Sequence, residues 1–260
     1  MSFPLLKVFT KANWKLWAIF TGILLLYMVI LVFSFDQIKE AMNALEGGAN
    51  PEILGISFPM DSRFNLLAGM YFDMLIFMFP MIFYIILANK LVSKSVDDNS
   101  MSAHLSSSLS RRKYTTTAAL FLTLSLVAMF FVVFAVGGLC LVAFETINWL
   151  HWLNIVFTTL TCTLFIAAIC FFFSSVFAAN RTGTIFLIGI PVAFIMFTWL
   201  GEMPSLDFLK YFTPIGYIDS LKIGYGLENL WWLINLVFLV AASVLYFVSI
   251  KVFDKKQLSI

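Results

Sequence analysis

The chain has 260 residues, of which 62% are hydrophobic and 12% are charged, and its formal net charge is +2. Soluble domains are roughly half apolar and about a quarter charged, so this composition excludes them and indicates an integral membrane protein. Alternating ten-residue segments, which are typical of membrane β-barrels, do not occur, so we expect an all-α fold.

Residues 1–15 predict an interfacial helix that lies under the inner leaflet of the membrane. Its apolar face carries Leu5 and Phe9. Its polar face carries three lysines at a spacing of four: Lys7, Lys11 and Lys15. The first apolar segment follows directly and lacks a small-residue cleavage site, so we interpret it as a spanning helix and not as a signal peptide.

Six segments are apolar over about 20 residues, the length that a helix needs to span the ~30 Å hydrocarbon core. They lie near residues 16–35, 66–88, 115–139, 152–179, 183–200 and 230–250. The sequence therefore predicts one transmembrane domain, residues 1–260, with six spanning helices.

The basic residues are distributed unequally between the two sides of these predicted helices. Twelve of the sixteen fall in segments 1–15, 89–114 and 251–256 and at Arg181. The other side carries only four: Lys39, Arg63, Lys210 and Lys222. The positive-inside rule then places both termini in the cytoplasm, which is consistent with an even number of helices.

Two connections are expected on the outer side. Residues 36–65 are acidic and rich in glycine, which predicts a short helix followed by turns. Residues 202–229 are too apolar for a free loop, and Pro204 and Pro214 interrupt them. We expect a re-entrant segment of short helices, whose irregular backbone is covered by protein or lines a cavity.

Asp73 is the one ionisable residue inside a predicted span, and such residues are candidates for function. Because it lies near the N-terminal end of the second span, the helix dipole offers a purely structural interpretation as well. Met70, Phe77 and Met81 share its helical face and form with it a candidate substrate path. Pro80 and Pro191 interrupt the second and fifth spans and predict bends there.

The motifs of several enzyme classes do not occur in the sequence. It contains no G-x-x-x-x-G-K-[ST] phosphate loop and no H-E-x-x-H, and its two histidines, His104 and His151, lie in predicted loops. The three cysteines have no metal-ligand spacing. We therefore expect a chain without a catalytic or metal site of its own and without a nucleic-acid partner.

The inner connection, residues 89–114, contains "HLSSSLSRRK" and is far longer than a turn requires. Met101, Leu105 and Leu109 repeat every four residues, which predicts a short amphipathic helix. A cytoplasmic helix with such a face is a candidate docking element for a partner protein.

This connection resembles the coupling loop of the ABC-2 type permeases, the membrane subunits of ATP-driven exporters. In that family, the loop carries an acidic residue and then a leucine-serine stretch that ends in proline, an aliphatic residue, serine and arginine. The matching positions here are Leu105, Ser106, Leu109, Ser110 and Arg111. Asp97 or Asp98 takes the place of the acidic residue, which is usually glutamate, and Ser108 replaces the proline.

The resemblance implies that this connection inserts into an ATPase subunit as a coupling helix. The residues that it assigns to this contact are Asp97, Asp98, Met101, Leu105, Leu109, Ser110, Arg111 and Arg112. ATP and Mg would then be bound by the partner ATPase, with no cofactor in this chain. The N-terminal interfacial helix, six spans, outer re-entrant segment and short tail also resemble the layout of the family.

The same resemblance implies a bacterial plasma-membrane exporter that works as a dimer with a second copy or a paralogue. In size and layout the chain is similar to the exporters of phenol-soluble modulins, which favours amphipathic peptides as cargo over drugs, lipids or lipid-linked polysaccharides. Two other classes stay open: a secondary transporter or channel that uses Asp73, and a non-transporting membrane protein.

Overall fold

A computed structural model describes residues 2–46, 52–53, 56–57, 61–97, 110–177, 181–203, 205–228 and 230–255. Six helices in this part of the chain are long and apolar enough to cross a membrane. Spans 1 to 6 are Phe3–Phe33, Arg63–Val96, Arg111–Val142, Trp149–Val176, Gly183–Gly201 and Trp231–Lys255. The predicted all-α fold with six spans is confirmed.

Span 1 includes the segment that was predicted as a separate interfacial helix. Residues 1–15 and 16–35 were expected as two elements, but one helix of 31 residues runs from Phe3 to Phe33. Its length of about 46 Å exceeds the ~30 Å hydrocarbon core, so its first turns extend past the core. No proline or glycine separates the two predicted elements, which explains why the helix continues.

The first connection contains a short helix, as expected, and a small hairpin that was not expected. The helix Phe35–Glu46 begins one residue after span 1. Strands Glu52–Ile53 and Ile56–Ser57 pair antiparallel, with Glu52 opposite Ser57.

Span 2 is the least regular of the six helices. It consists of an α-helical start, a π-helical stretch, a longer α-helix, a second π-helical stretch and an α-helical end: Arg63–Leu66, Leu67–Leu75, Ile76–Ala88, Asn89–Ser93 and Lys94–Asp97. Ser62 caps the start, because its hydroxyl accepts a hydrogen bond from the Asn65 amide at 3.2 Å. Pro80 lies in the central α-helix and interrupts the hydrogen-bond ladder again.

Span 4 is the centre of the bundle. In its apolar window 72% of the residues are buried, against 28%, 28% and 22% in spans 1, 5 and 6. Hydrogen bonds between side chains join it to span 6: Asn235 Nδ2 donates to Thr158 Oγ1 at 3.0 Å, and Thr161 Oγ1 donates to Asn235 Oδ1 at 2.5 Å. Ser174 Oγ donates to the Ala88 carbonyl of span 2 at 3.1 Å. Each such bond contributes about 0.6 kcal/mol in a membrane, so these bonds fix the packing geometry more than the stability.

The start of span 1, the end of span 2 and the start of span 3 meet at one end of the bundle, which we call the termini end. Lys90 Nζ donates to Asn13 Oδ1 at 2.8 Å, and the Tyr114 hydroxyl donates to the Leu91 carbonyl at 3.0 Å. The ring of Phe9 packs edge-on against Tyr114 with 5.6 Å between the ring centres.

The opposite end, which we call the loop end, carries the connections 34–62, 143–148 and 202–230. Arg63 holds two of these connections to span 2. Its guanidinium pairs with Asp36 at 2.7 Å and lies 4.8 Å and 4.5 Å from the ring centres of Phe35 and Phe144. Its amide donates to Glu145 Oε1 at 2.6 Å.

We expect the termini end to face the cytoplasm, because it carries most of the basic residues. A green fluorescent protein fused to the C-terminus should fluoresce, and an alkaline phosphatase fused after Thr146 should be active. Inactive phosphatase at Thr146 together with active phosphatase at the C-terminus would reverse the orientation.

Gly137 is expected to tolerate no side chain. A Cβ atom there would lie 2.5 Å from Cζ2 of Trp152 and 2.8 Å from Sδ of Met28, and the Trp152 ring cannot move freely because its Nε1 donates to the Phe134 carbonyl at 2.9 Å. Gly137→Ala should therefore cost about 1–3 kcal/mol, seen as a lower unfolding temperature in detergent.

The matched control is Gly189→Ala, also within a span, where nothing lies within 4 Å of the added atom. It should leave stability unchanged or raise it, because alanine favours the helix by about 1 kcal/mol. Equal unfolding temperatures for the two variants would contradict this packing.

Candidate functional site

A cavity of about 400 Å³ lies at the loop end, between span 2, the end of span 5 and residues 207–228. This volume falls within the roughly 300–1,000 Å³ of small-molecule sites. Six charged side chains line it: Asp73, Glu202, Lys210, Asp219, Lys222 and Glu228. The cavity is our candidate functional site.

Span 2 contributes one wall through Gly69, Asp73 and Phe77. The first two belong to the π-helical stretch Leu67–Leu75, in which a turn takes more than four residues. Positions four apart share one face of a helix, so Asp73 faces the cavity between glycine and phenylalanine. Single π turns are often found at functional sites.

The short helix Ser220–Gly224 covers span 2 beside this wall. The Ser220 amide donates to Asp73 Oδ1 at 3.3 Å, and the Tyr225 hydroxyl donates to Asn65 Oδ1. Ser220 is fully buried. The in-span carboxylate thus holds the short helix to the start of span 2.

Local sequence explains both ends of this short helix. Asp219 caps its start, since its side chain accepts a hydrogen bond from the Lys222 amide at 2.9 Å. Gly226 follows its end with a φ of +68°, a left-handed conformation that favours glycine.

The cavity wall opposite span 2 is built from two 3₁₀ helices, Asp207–Phe212 and Ile215–Tyr217. The Thr213 hydroxyl between them lies 2.8 Å from that of Thr198 in span 5 and accepts from the Gly216 amide at 3.0 Å. A Cβ atom on Gly216 would lie 2.2 Å from the Lys210 carbonyl oxygen. Only glycine allows this close approach, which packs the second 3₁₀ helix against the first, while the Thr198 contact joins the wall to span 5.

The re-entrant prediction is confirmed in one respect, because residues 207–224 form short helices, the first two of which are separated near Pro214. Entry of this segment into the outer leaflet stays a prediction.

Both lysines of the cavity have a carboxylate partner. Lys210 pairs with Asp207, and Lys222 pairs with Asp219 at 2.9 Å. The hydrogen bond to Asp207 raises the pKa of Lys210, and the bond to Asp219 raises the pKa of Lys222. Both ammonium groups are therefore charged at neutral pH. Among the described residues, Glu202 and Glu228 form no salt bridge.

The structure separates the four residues of the predicted substrate path. Asp73 and Phe77 line the cavity. Met81 is buried in the hydrophobic core, and Met70 is half-buried against it. The sequence did not predict that charged residues after span 5 belong to this site, although charges within so apolar a segment were a signal. These residues are Glu202, Lys210, Asp219, Lys222 and Glu228.

The predicted coupling residues are described only in part. Asp98, Met101, Leu105 and Leu109 lie outside the described residues, and Asp97 ends the helix Lys94–Asp97. Ser110 caps span 3, because its hydroxyl accepts from the Lys113 amide at 3.3 Å. Arg111 and Arg112 form the first turn of that span. Contact of these residues with an ATPase stays a prediction.

Comparisons of the chain with protein-family models, with curated proteins and with solved structures found no match. The class of protein therefore follows from the fold alone. The protein is a multi-pass membrane protein with six long apolar helices.

Replacement of Asp73 is expected to loosen the helix Ser220–Gly224. Asp73→Ala removes the acceptor for the Ser220 amide, and such a bond contributes about 1–1.5 kcal/mol. Amide exchange over residues 219–225 should therefore become roughly five- to tenfold faster. Hydrogen–deuterium exchange measures this. Asp73→Asn keeps an acceptor oxygen and serves as the matched control.

Unchanged exchange in Asp73→Ala would show that the contact does not hold the short helix.

Proposed function

We propose that this protein is the permease subunit of an ATP-driven exporter. It moves amphipathic or hydrophobic cargo, in the first place peptides, out of a bacterial cell. A separate ATPase subunit binds ATP and Mg, and the chain has no catalytic site of its own. A second copy or a paralogue completes the pathway.

The main support is the connection between spans 2 and 3. Its sequence resembles the coupling loop of the ABC-2 type permeases at Leu105, Ser106, Leu109, Ser110 and Arg111. It leaves the bundle at the termini end, where the basic residues are concentrated. A cytoplasmic ATPase would approach the protein from that side.

The two ends of this connection are tied to each other. The Ser95 hydroxyl lies 3.0 Å from the Leu91 carbonyl oxygen and 2.8 Å from that of Val92. Tyr114 of span 3 donates to the same Leu91 carbonyl at 3.0 Å. A displacement of residues 98–109 by a partner would therefore act on spans 2 and 3 together.

Span 2 also connects this end of the bundle to the cavity. Its far end carries Asp73, and its hydroxyl contact to span 4, Ser93 to Ser174 at 3.0 Å, reaches the centre of the bundle. The two π-helical stretches and Pro80 give the helix points at which it can bend. In the proposed cycle, closure of the ATPase dimer moves span 2 and alters the cavity around the cargo.

The cavity lining favours amphipathic cargo, because it combines charged groups with aromatic rings. Phe77, Trp199, Tyr211 and Tyr217 supply apolar surface beside the charged side chains. Drugs, lipids and lipid-linked polysaccharides are the alternative cargoes for the same layout.

A second candidate function is transport without an ATPase, as a secondary transporter or channel. It is favoured by the position of Asp73 within a span, in a π-helical stretch and in the cavity wall. If Asp73→Asn abolishes transport while changes in the 98–112 connection do not, this second function replaces the first.

Charge reversal at Arg111 and Arg112 is expected to release the ATPase. In a pull-down of the tagged chain from its native membrane, a nucleotide-binding ATPase should co-purify with the wild type. Its yield should fall at least tenfold in Arg111→Glu/Arg112→Glu. Acidic residues are favourable at a helix N-terminus, so span 3 should still form.

The matched control is Lys251→Glu/Lys255→Glu, which reverses two charges at the same end of the bundle on span 6. It should retain the ATPase, and a reporter fused to the C-terminus should confirm unchanged orientation in both variants. If no ATPase co-purifies with the wild type, even after mild crosslinking, the coupling proposal fails.

A further inference from the structure

We propose that the loop-end cavity binds an organic cation, such as a primary or quaternary ammonium group joined to an apolar body. The identification of this cation as the exporter's cargo rests on the proposed function. The binding itself does not, because it depends only on the cavity of this chain.

The charges of the cavity favour a positive ligand. Even without Asp73, the lining has more carboxylates than ammonium groups. The carboxylates are those of Glu202, Asp219 and Glu228, and the ammonium groups are those of Lys210 and Lys222. Lys210 is further neutralised by Asp207, which pairs with it from outside the lining. The lining therefore has an excess of negative charge, and a low-dielectric cleft focuses such a field.

The aromatic residues of the cavity are placed to receive a cation. Trp199, Tyr211 and Tyr217 line it and are 38%, 57% and 52% exposed. Their ring faces attract a cation within about 6 Å of the ring centre. The protein already uses this contact itself, since Lys210 Nζ lies 5.8 Å from the centre of the Tyr211 ring.

The spacing of the carboxylates favours an organic ion over a metal ion. In the part of the chain that the structure describes, no three His, Cys, Asp or Glu side chains converge into a group that could hold a metal. The cavity carboxylates are instead distributed around about 400 Å³ of space. An ammonium group with an apolar body matches both the dispersed charge and the aromatic surface.

The cation has a route into the cavity from the loop end. Glu202, Tyr211 and Lys222 are exposed there, whereas Asp73 lies within span 2. A ligand would thus meet Glu202 and the tyrosines first and Asp73 last. Asp73 and Phe77, with Gly69, form the part of the wall that belongs to span 2.

The test is the binding of 2-phenylethylammonium to the purified full chain in a nonionic detergent. Isothermal titration calorimetry measures the dissociation constant. Two probes of similar shape serve as controls: the neutral 2-phenylethanol and the anionic phenylacetate. Empty micelles measure partition of each probe into detergent. We expect the cation to bind at least tenfold more tightly than either control, and more weakly as salt is added.

Variants locate the binding in this cavity. Glu202→Gln/Glu228→Gln should weaken cation binding at least tenfold, because it removes two of the three carboxylates that carry the excess negative charge. Glu40→Gln removes an exposed acid at the same end but outside the cavity, and it should change nothing. Glu202 is exposed and Glu228 is half-buried, so this variant is expected to fold.

Three results would overturn the inference: no cation binding at millimolar concentrations, equal binding of the alcohol, or unchanged binding in the Glu202→Gln/Glu228→Gln variant. The titration contains no ATPase, so its failure leaves the pull-down result standing. Conversely, if no ATPase co-purifies with the wild type, a cation site would remain in a membrane protein with another role.

Discussion

Every backbone amide and carbonyl within a bilayer needs a partner inside the protein, and the rest of this structure depends on that constraint. Five of the spans are continuous α-helices, of which span 5 contains an internal proline, Pro191. Span 2 departs from the α-helical pattern in its two π-helical stretches, whose amides bond five residues back, and at Pro80, which has no amide hydrogen. Its apolar window is 56% buried, more than that of every other span except span 4, so other helices shield its irregular backbone from lipid.

Most buried polar side chains of the described spans follow the same constraint, although Thr21 Oγ1 in span 1 has no partner. Thr158, Thr161 and Asn235 bond to one another between spans 4 and 6, and several other buried hydroxyls bond to a carbonyl one turn earlier in their own helix. The charged groups lie at the bundle ends, where Arg63 and Lys210 each have a carboxylate partner. Asp73 is the exception within a span, and its Oδ1 accepts the amide of an irregular segment that also needs a partner.

The spans were predictable from sequence because an apolar length of about 20 residues is a strong and local signal. The continuity of residues 3–33 was not, because amphipathic and uniformly apolar segments give different patterns even when one helix contains both. The π-helical stretches leave no mark on hydropathy. Asp73 was found as the one ionisable residue inside a predicted span, and Phe77 through its position on the same helical face. Glu202 and Lys222 join them only through the fold of the segment after span 5.

The close contact of Gly216 with the Lys210 carbonyl constrains the backbone of the cavity wall, but it does not constrain the side chains that line the cavity. The backbone there has almost no freedom to vary, since even one methyl group on Gly216 would push the two 3₁₀ helices of the wall apart. Tyr211 and Tyr217, in contrast, expose more than half of their surface and carry little of the packing. Changes of ligand preference during evolution can therefore accumulate at the exposed rings at low cost in stability, while the frame that holds them is inherited intact.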